Sequence, residues 1–173
     1  MSKFDTGKVK YRFERIELYD MVEEVISSLQ IYADYYHIFL INKCGNSIIY
    51  ADAVWIKEAI ENIVKNCIEN VGDSNKILVS SRSFNDNTTI YIDAIEEESI
   101  DVECISFERF ESSQTGIGIG LHLCKQIIET HLGEISVEQS ELGGLRFIIK
   151  LPKMAHKEKI KLEDEYENNF KGT

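Results

Sequence analysis

Proline occurs once in this chain and cysteine four times in 173 residues. A single proline and ten glycines exclude a collagen-like or low-complexity chain. Cys44, Cys67, Cys104 and Cys124 form no Cys-x-x-Cys pair, which argues against a zinc ribbon and against a disulfide framework. Cys67 and Cys124 fall on apolar helical stripes, where free thiols are buried in proteins of a reducing compartment. No apolar run approaches the roughly 20 residues of a membrane helix, and the N-terminus lacks the basic-then-apolar pattern of a secretory signal. The expectation is a soluble chain without direct membrane contact. Positive charge is also scarce: 19 Lys and Arg stand against 30 Asp and Glu, a net charge of -11. Such a surface repels phosphodiester backbones, so nucleic acid is not an expected partner. Any anionic ligand would need a local cradle and a metal ion.

What is present reads as an alternation of helices and short strands. Residues 18–34 carry Leu18, Val22, Val25, Ile26, Leu29 and Tyr32/Ala33 at helical spacing. Segments 36–41 and 47–50 are short and β-rich, with the turn CGN between them. A second helix spans 53–71, with Ile56, Ile60, Ile63, Val64, Cys67, Ile68 and Val71 on one side. Strands at 76–82 and 88–95 are joined by the turn FNDN. A loop and a short helix occupy 97–114, and a third long helix runs over 117–132. Strands follow at 134–139 and 145–151, joined by SELGG. Residues 153–173 are charged and polar and read as a mostly disordered tail or a frayed helix, which leaves 1–152 as the folded domain. Strand pairs joined by short turns imply antiparallel ladders. The fold class expected is α+β: a two-layer α/β sandwich with a mixed, mostly antiparallel sheet covered on one face by three helices.

Two patterns carry chemistry. In helix 53–71, Glu58, Asn62, Asn66 and Asn70 recur at every fourth position, one polar stripe beside the apolar one. Asn is unfavourable inside a helix, and a solvated face is more often built from Lys, Glu and Arg. An Asn side-chain oxygen is a suitable neutral ligand for magnesium, which otherwise keeps waters and phosphate oxygens. The second pattern is TGIGIGLHLCKQIIE, where Gly116, Gly118 and Gly120 precede an amphipathic helix striped by Leu121, Cys124, Ile128 and Leu132. Free N–H groups and the helix dipole there favour phosphate. The spacing is not that of a dinucleotide-binding fingerprint.

Together these segments resemble the ATP-binding catalytic domain of sensor histidine kinases, within the superfamily that also contains gyrase, the Hsp90 chaperones and MutL. DAVWIKEAIENIVKNCIENV (52–71) is similar to the family's asparagine box, ISFERF (105–110) to its phenylalanine box, TGIGIGLHLCKQIIETHLGEISVE (115–138) to its second glycine box with the following helix and strand, and GGLRFIIKLP (143–152) to its closing strand. The resemblance covers residues 12–152 and implies a Bergerat-type fold that binds ATP and Mg2+. It implies that Asn66 ligates magnesium, that Asn62 lines the phosphate site, that Lys65 neutralises phosphate charge, and that Gly116, Gly118 and Gly120, with Leu121 beginning the helix, cradle the phosphates. Hydrolysing relatives usually carry Glu where this chain has Asn62, and Asn cannot serve as a base, which favours phosphoryl transfer over hydrolysis.

The sequence also departs from the pattern. The family's first glycine box, Asp-x-Gly-x-Gly, is replaced in IYIDAIEEESID (90–101), which has no glycine. Strand alternation makes Glu96 the next inward residue after Ala94, so Glu96 stands in for the adenine-binding Asp, while Asp93 has the opposite parity. Glu69 stands where the family has Lys near the phosphates, and only ESSQT separates Phe110 from Gly116. None of His37, His122, His131 and His156 has the context of a phosphoacceptor. The resemblance therefore implies a cytosolic kinase domain, monomeric as a fragment. It would act on a histidine of a separate dimerisation hairpin in a homodimeric, membrane-bound parent, with a response regulator downstream. Two alternatives stay open: a degenerate nucleotide-binding module acting through protein contacts, and an anti-sigma-type Ser/Thr kinase.

Overall fold

The structure, a computed structural model, describes residues 10–70, 76–95, 119–139 and 144–171. In chain order the elements are β1 (Phe13–Glu17), α1 (Leu18–Tyr35), β2 (Phe39–Lys43), β3 (Ile48–Asp52), α2 (Ala53–Asn70), β4 (Lys76–Phe84), β5 (Asn87–Ile95), α3 (Ile119–Thr130), β6 (Glu134–Gln139), β7 (Leu145–Pro152) and α4 (His156–Lys171). The five-stranded sheet has the order β2-β4-β5-β7-β6, and β1 pairs with β3 in a small second sheet. Every pairing is antiparallel except β2 with β4.

Alternation on the strands decides the layering. Ile77, Val79, Ile90, Ile92, Ala94, Phe147, Ile149 and Leu151 point to one face and are buried. They join one core with the apolar stripes of α1 (Leu18, Val22, Val25), α2 (Ile56, Ile60, Ile63, Cys67) and α3 (Leu121, Cys124, Ile127, Ile128). The result is the expected two-layer sandwich of mixed, mostly antiparallel sheet and helices. Each fully buried Ile or Leu contributes about 1.5–3 kcal/mol relative to exposure, so this face dominates the stability. Cys44, Cys67 and Cys124 are buried.

Four details differ from the reading of the sequence. The strands flanking CGN do not pair with each other: β2 runs parallel to β4, with Phe39 opposite Lys76, and β3 pairs with β1, with Ile48 opposite Glu17. Between them Asn42 Oδ1 accepts from the Cys44 N–H at 3.0 Å, and the Ser47 N–H donates to the Gly45 carbonyl at 2.8 Å, so the chain turns without closing a ladder. Strand β1 has no alternating burial, which is why its sequence gave no strand signal. Leu132 does not extend the α3 stripe. It lies beyond the helix end in the left-handed region (φ 60°) and is 75% exposed. Finally, where a mostly disordered tail or a frayed helix was expected, His156–Lys171 forms α4, with residues 160–171 all exposed. Its support is within the helix: Tyr166 and Phe170 rings 4.7 Å apart, and a Lys171–Glu167 pair at 3.8 Å. By contrast FNDN closes the β4–β5 hairpin as expected, with Phe84 opposite Asn87 and Asn85 at φ 51°. Among the described residues no helix is long and apolar enough to cross a membrane.

Candidate functional site

Helix α2 starts from a fixed point. The Asp52 carboxylate caps it, Oδ1 accepting from the N–H groups of Val54 (3.0 Å) and Trp55 (3.2 Å), while Oδ2 accepts from the Arg12 N–H at 2.7 Å. The Asp52 N–H donates to His131 Nε2 at 3.1 Å, and His131 Nδ1 lies 2.7 Å from the Ile127 carbonyl. A carbonyl only accepts, so Nδ1 carries the proton and the imidazole is neutral. Burial holds its pKa below the ordinary histidine value, against the opposing pull of the Ile127 bond and of Asp52. One buried ring thus ties the end of α3 to the start of α2. The sequence showed only that His131 lacks a phosphoacceptor context; its bond to Asp52, 79 positions away, left no local signal.

Along α2 the stripe is real and internally bonded. Asn66 Nδ2 donates to the Asn62 carbonyl at 2.7 Å, and Asn70 Nδ2 donates to the Asn66 carbonyl at 2.7 Å. Asn66 is 3% exposed, Asn62 half-buried and Asn70 exposed. Because a carbonyl demands the NH2 end of the amide, the orientation of Asn66 is set. Among the described residues its Oδ1 has no hydrogen-bond partner. A nearly buried amide therefore presents an oxygen without a partner among the described residues, which is the donor a hard cation takes.

The N-terminus of α3 meets this stripe. A Cβ placed on Gly120 would lie 3.5 Å from Asn66 Nδ2 and 4.0 Å from Cβ and Cγ of Asn62. Behind that contact the Cys124 thiol points to the Ala59 carbonyl at 3.2 Å, and Leu121, Cys124, Ile127 and Ile128 are buried. The first-turn N–H groups of α3 lack partners within the helix, so the Asn66 side-chain amide and a positive helix end share one neighbourhood.

The remaining site residues expected from sequence are placed as follows. The Leu121 side chain is 1% exposed in the core, so only its backbone N–H is left for a ligand. Lys65 is exposed, its ammonium 5.4 Å from the centre of the Tyr32 ring on α1. Glu69, which stands where the family has Lys near the phosphates, accepts from the Tyr32 hydroxyl. Asp93 pairs with Arg146 (Nε–Oδ1 2.6 Å), on the sheet face away from the core strands' inward residues. Glu96, Gly116, Gly118 and the segments 96–101 and 105–110 lie outside the described residues. A cavity of about 600 Å³ lined by Phe13, Tyr50, Thr130, His131, Leu132 and Pro152 is at the other end of α3, about 15 Å along the helix from Gly120, and is separate from this site.

Comparison with known proteins identifies the family and the fold. Residues 51–155 match the family described as Histidine kinase-, DNA gyrase B-, and HSP90-like ATPase. The chain is 25% identical over 165 residues to sensor protein RprX of Bacteroides fragilis, covering 88% of this chain and 32% of the relative. It is 27% identical over 158 residues to sensor histidine kinase YxdK of Bacillus subtilis, covering 84% and 48%. The chain thus spans less than half the length of both. Among solved structures, the catalytic domain of histidine kinase ThkA superposes with a TM-score of 0.72 at 28% identity, over 82% of this chain and 96% of that one.

Proposed function

Since the chain belongs to the histidine kinase-, DNA gyrase B- and HSP90-like ATPase family, we propose that it is the ATP-binding catalytic domain of a sensor histidine kinase. It would transfer the γ-phosphoryl group of ATP to a histidine on a separate dimerisation hairpin. The observation that carries this reading is the meeting of the Asn66 side-chain amide, its Nδ2 3.5 Å from a Cβ placed on Gly120, with the N-terminus of α3. The donor set fits magnesium, whose part when bound is to neutralise charge on phosphate oxygens. Asn66 Oδ1 would hold it, and the α3 N–H groups from Gly120 onward would take phosphate oxygens, with Gly116 and Gly118 extending the cradle. Asn62 borders the same space and has no basic atom to take a proton from water, so transfer is favoured over hydrolysis. Lys65 stands at the α1 edge and reaches phosphate only by leaving the Tyr32 ring. Glu96 would accept from the adenine amino group. Catalysis by such a site is positioning and charge neutralisation.

Partners follow from the same reading: the hairpin of the parent kinase and a response regulator. The relative ThkA, 27% identical in that structure, is solved in complex with response regulator protein TrrA. A kinase drawing on cellular ATP places this chain on the cytosolic side. The second reading, a degenerate module with weak or no ATP binding, is favoured by one observation: the segment 96–101 has no glycine.

Calorimetry with Mg-ATP separates the two. A working site stabilises the fold by RT ln(1+[L]/Kd), about 2.7 kcal/mol at a hundredfold excess over Kd, and Asn66→Ala removes the effect. No binding at millimolar nucleotide sinks the kinase reading. Joined to its parent's hairpin, the domain is expected to produce phosphohistidine; phosphoserine on a separate protein would point to an anti-sigma-type kinase.

A further inference from the structure

Glu69 follows Asn66 by three residues on α2. At about 100° and 1.5 Å per residue, that sets it about 60° around the helix and about 4.5 Å further along. From there a carboxylate has two directions open: toward the Asn66–Gly120 gap, or toward α1. It turns to α1. The Tyr32 hydroxyl donates to Glu69 Oε1. Tyr32 is held in turn by Tyr36, edge-on at 5.2 Å, and by the Lys65 ammonium over its ring at 5.4 Å. Glu69 Oε2 is buried and has no hydrogen-bond partner among the described residues. A carboxylate with one oxygen unsatisfied is weakly held where it is, so the single donor on α1 decides its direction. Burial first, and then the Glu69 carboxylate, push the Tyr32 phenol well above its ordinary pKa, so the donor stays protonated.

We propose that Tyr32 is a positioning residue for nucleotide: its hydroxyl draws the Glu69 carboxylate against α1 and keeps that negative charge out of the phosphate side of the Asn66–Gly120 site. The inference rests on that site being the nucleotide site. It differs from a plain α1–α2 tether in one respect. A tether supports the fold whether or not Glu69 is charged, whereas a positioning hydroxyl matters to a polyanion only while residue 69 carries charge.

The test uses the chain with Tyr32→Phe, Glu69→Gln, both together, and Asn66→Ala. Each is titrated calorimetrically with Mg-ATP and with Mg-tripolyphosphate, which probes the phosphate half alone, and each is checked by thermal unfolding. Tyr32→Phe is expected to raise both Kd values about tenfold, the scale of one released charge at a partly solvated phosphate site. Glu69→Gln is expected to bind at least as tightly as the parent sequence, and the double variant to match Glu69→Gln. Glu69→Asp, which keeps the charge and Tyr32 but shortens the reach, is expected to weaken binding as Tyr32→Phe does, and replaces it should the Phe variant not fold. A folded Tyr32→Phe that binds normally, or a double variant as weak as Tyr32→Phe alone, overturns the proposal. If the unsubstituted chain binds neither ligand, or Asn66→Ala binds undiminished, the nucleotide site itself is wrong and this inference goes with it.

Discussion

Replacing Gly120 by Ala separates fold from function at one position. The new Cβ meets Asn66 Nδ2 at 3.5 Å and Asn62 at 4.0 Å, ordinary van der Waals contact, so no steric cost is expected. Ala is favoured over Gly in a helix by up to about 1 kcal/mol. Gly120 lies in the first turn of α3, where about 0.5 kcal/mol is a reasonable share, and for a chain of this size that raises Tm by about 1–2 °C. The same methyl fills the space between the α3 N-terminus and the Asn66 amide, where a phosphate oxygen would approach the backbone. Binding of Mg-ATP is therefore expected to fall at least tenfold while the protein becomes slightly more stable. Thermal unfolding by circular dichroism and calorimetric titration measure the two effects independently. A lower Tm would mean that the contact is tighter than the distances indicate. A raised Tm with unchanged affinity would refute the reasoning that the helix start at Gly120 receives the phosphates.

Three further outcomes test the frame around the site. Asp52→Ala removes two capping bonds and the tie to Arg12 and should cost about 2 kcal/mol, a Tm loss of about 4–8 °C, with Asn at the same position retaining most of it; equal losses for Ala and Asn would deny the cap. His131 is held neutral, its folded pKa lowered by burial, so its stabilising contribution is present above the unfolded value near 6.5 and is lost as pH falls from there toward the folded value; Tm measured from pH 7 to pH 5 should decline less steeply in His131→Gln than in the parent, and parallel curves would count against it. Leu132 occupies a left-handed position at φ 60° while 75% exposed, so Leu132→Gly should stabilise by about 0.5–1 kcal/mol in thermal unfolding, and a loss instead would show that the exposed side chain packs more than its accessibility implies.

The helices and the β4–β5 hairpin were legible because their signals are local: the 3.6-residue stripes of α1, α2 and α3, and the Asn-Asp turn between Phe84 and Asn87. The partners of β2 and β3 were not, because pairing is a long-range choice. β2 finds β4 more than thirty residues on, and β3 finds a strand, β1, whose side chains show no alternation. The site divides in the same way. The Asn stripe and Gly120 were readable as residues, and their meeting is a matter of α2–α3 packing that the two apolar stripes already implied. The direction of Glu69 was not legible, since helical position alone left it facing either way and its hydroxyl partner is on Tyr32, 37 residues upstream. The C-terminal segment was left between disordered tail and frayed helix because residues 160–171, all exposed, read as solvated chain; the contacts within α4 are between neighbours one turn apart, which polar composition conceals.

A chain of net charge -11 that is proposed to receive a triphosphate poses an electrostatic question whose answer lies close to the proposed site. At physiological ionic strength exposed charges are screened beyond about 8 Å, so most of the thirty acidic residues contribute little at Asn66. What counts is the first few ångströms: among the described residues, a neutral amide oxygen, a positive helix end, and the Glu69 carboxylate bonded to Tyr32. The two contributions part under salt. Repulsion from the overall charge weakens steadily as ionic strength rises, whereas a partly buried carboxylate one helical turn from the ligand is screened far less. Raising salt should therefore narrow any affinity difference caused by surface acids and leave the difference between Tyr32→Phe and the double variant with Glu69→Gln largely in place. A Tyr32→Phe defect that disappears at about 0.5 M salt would assign the effect to the surface as a whole, and Glu69 would lose its special standing.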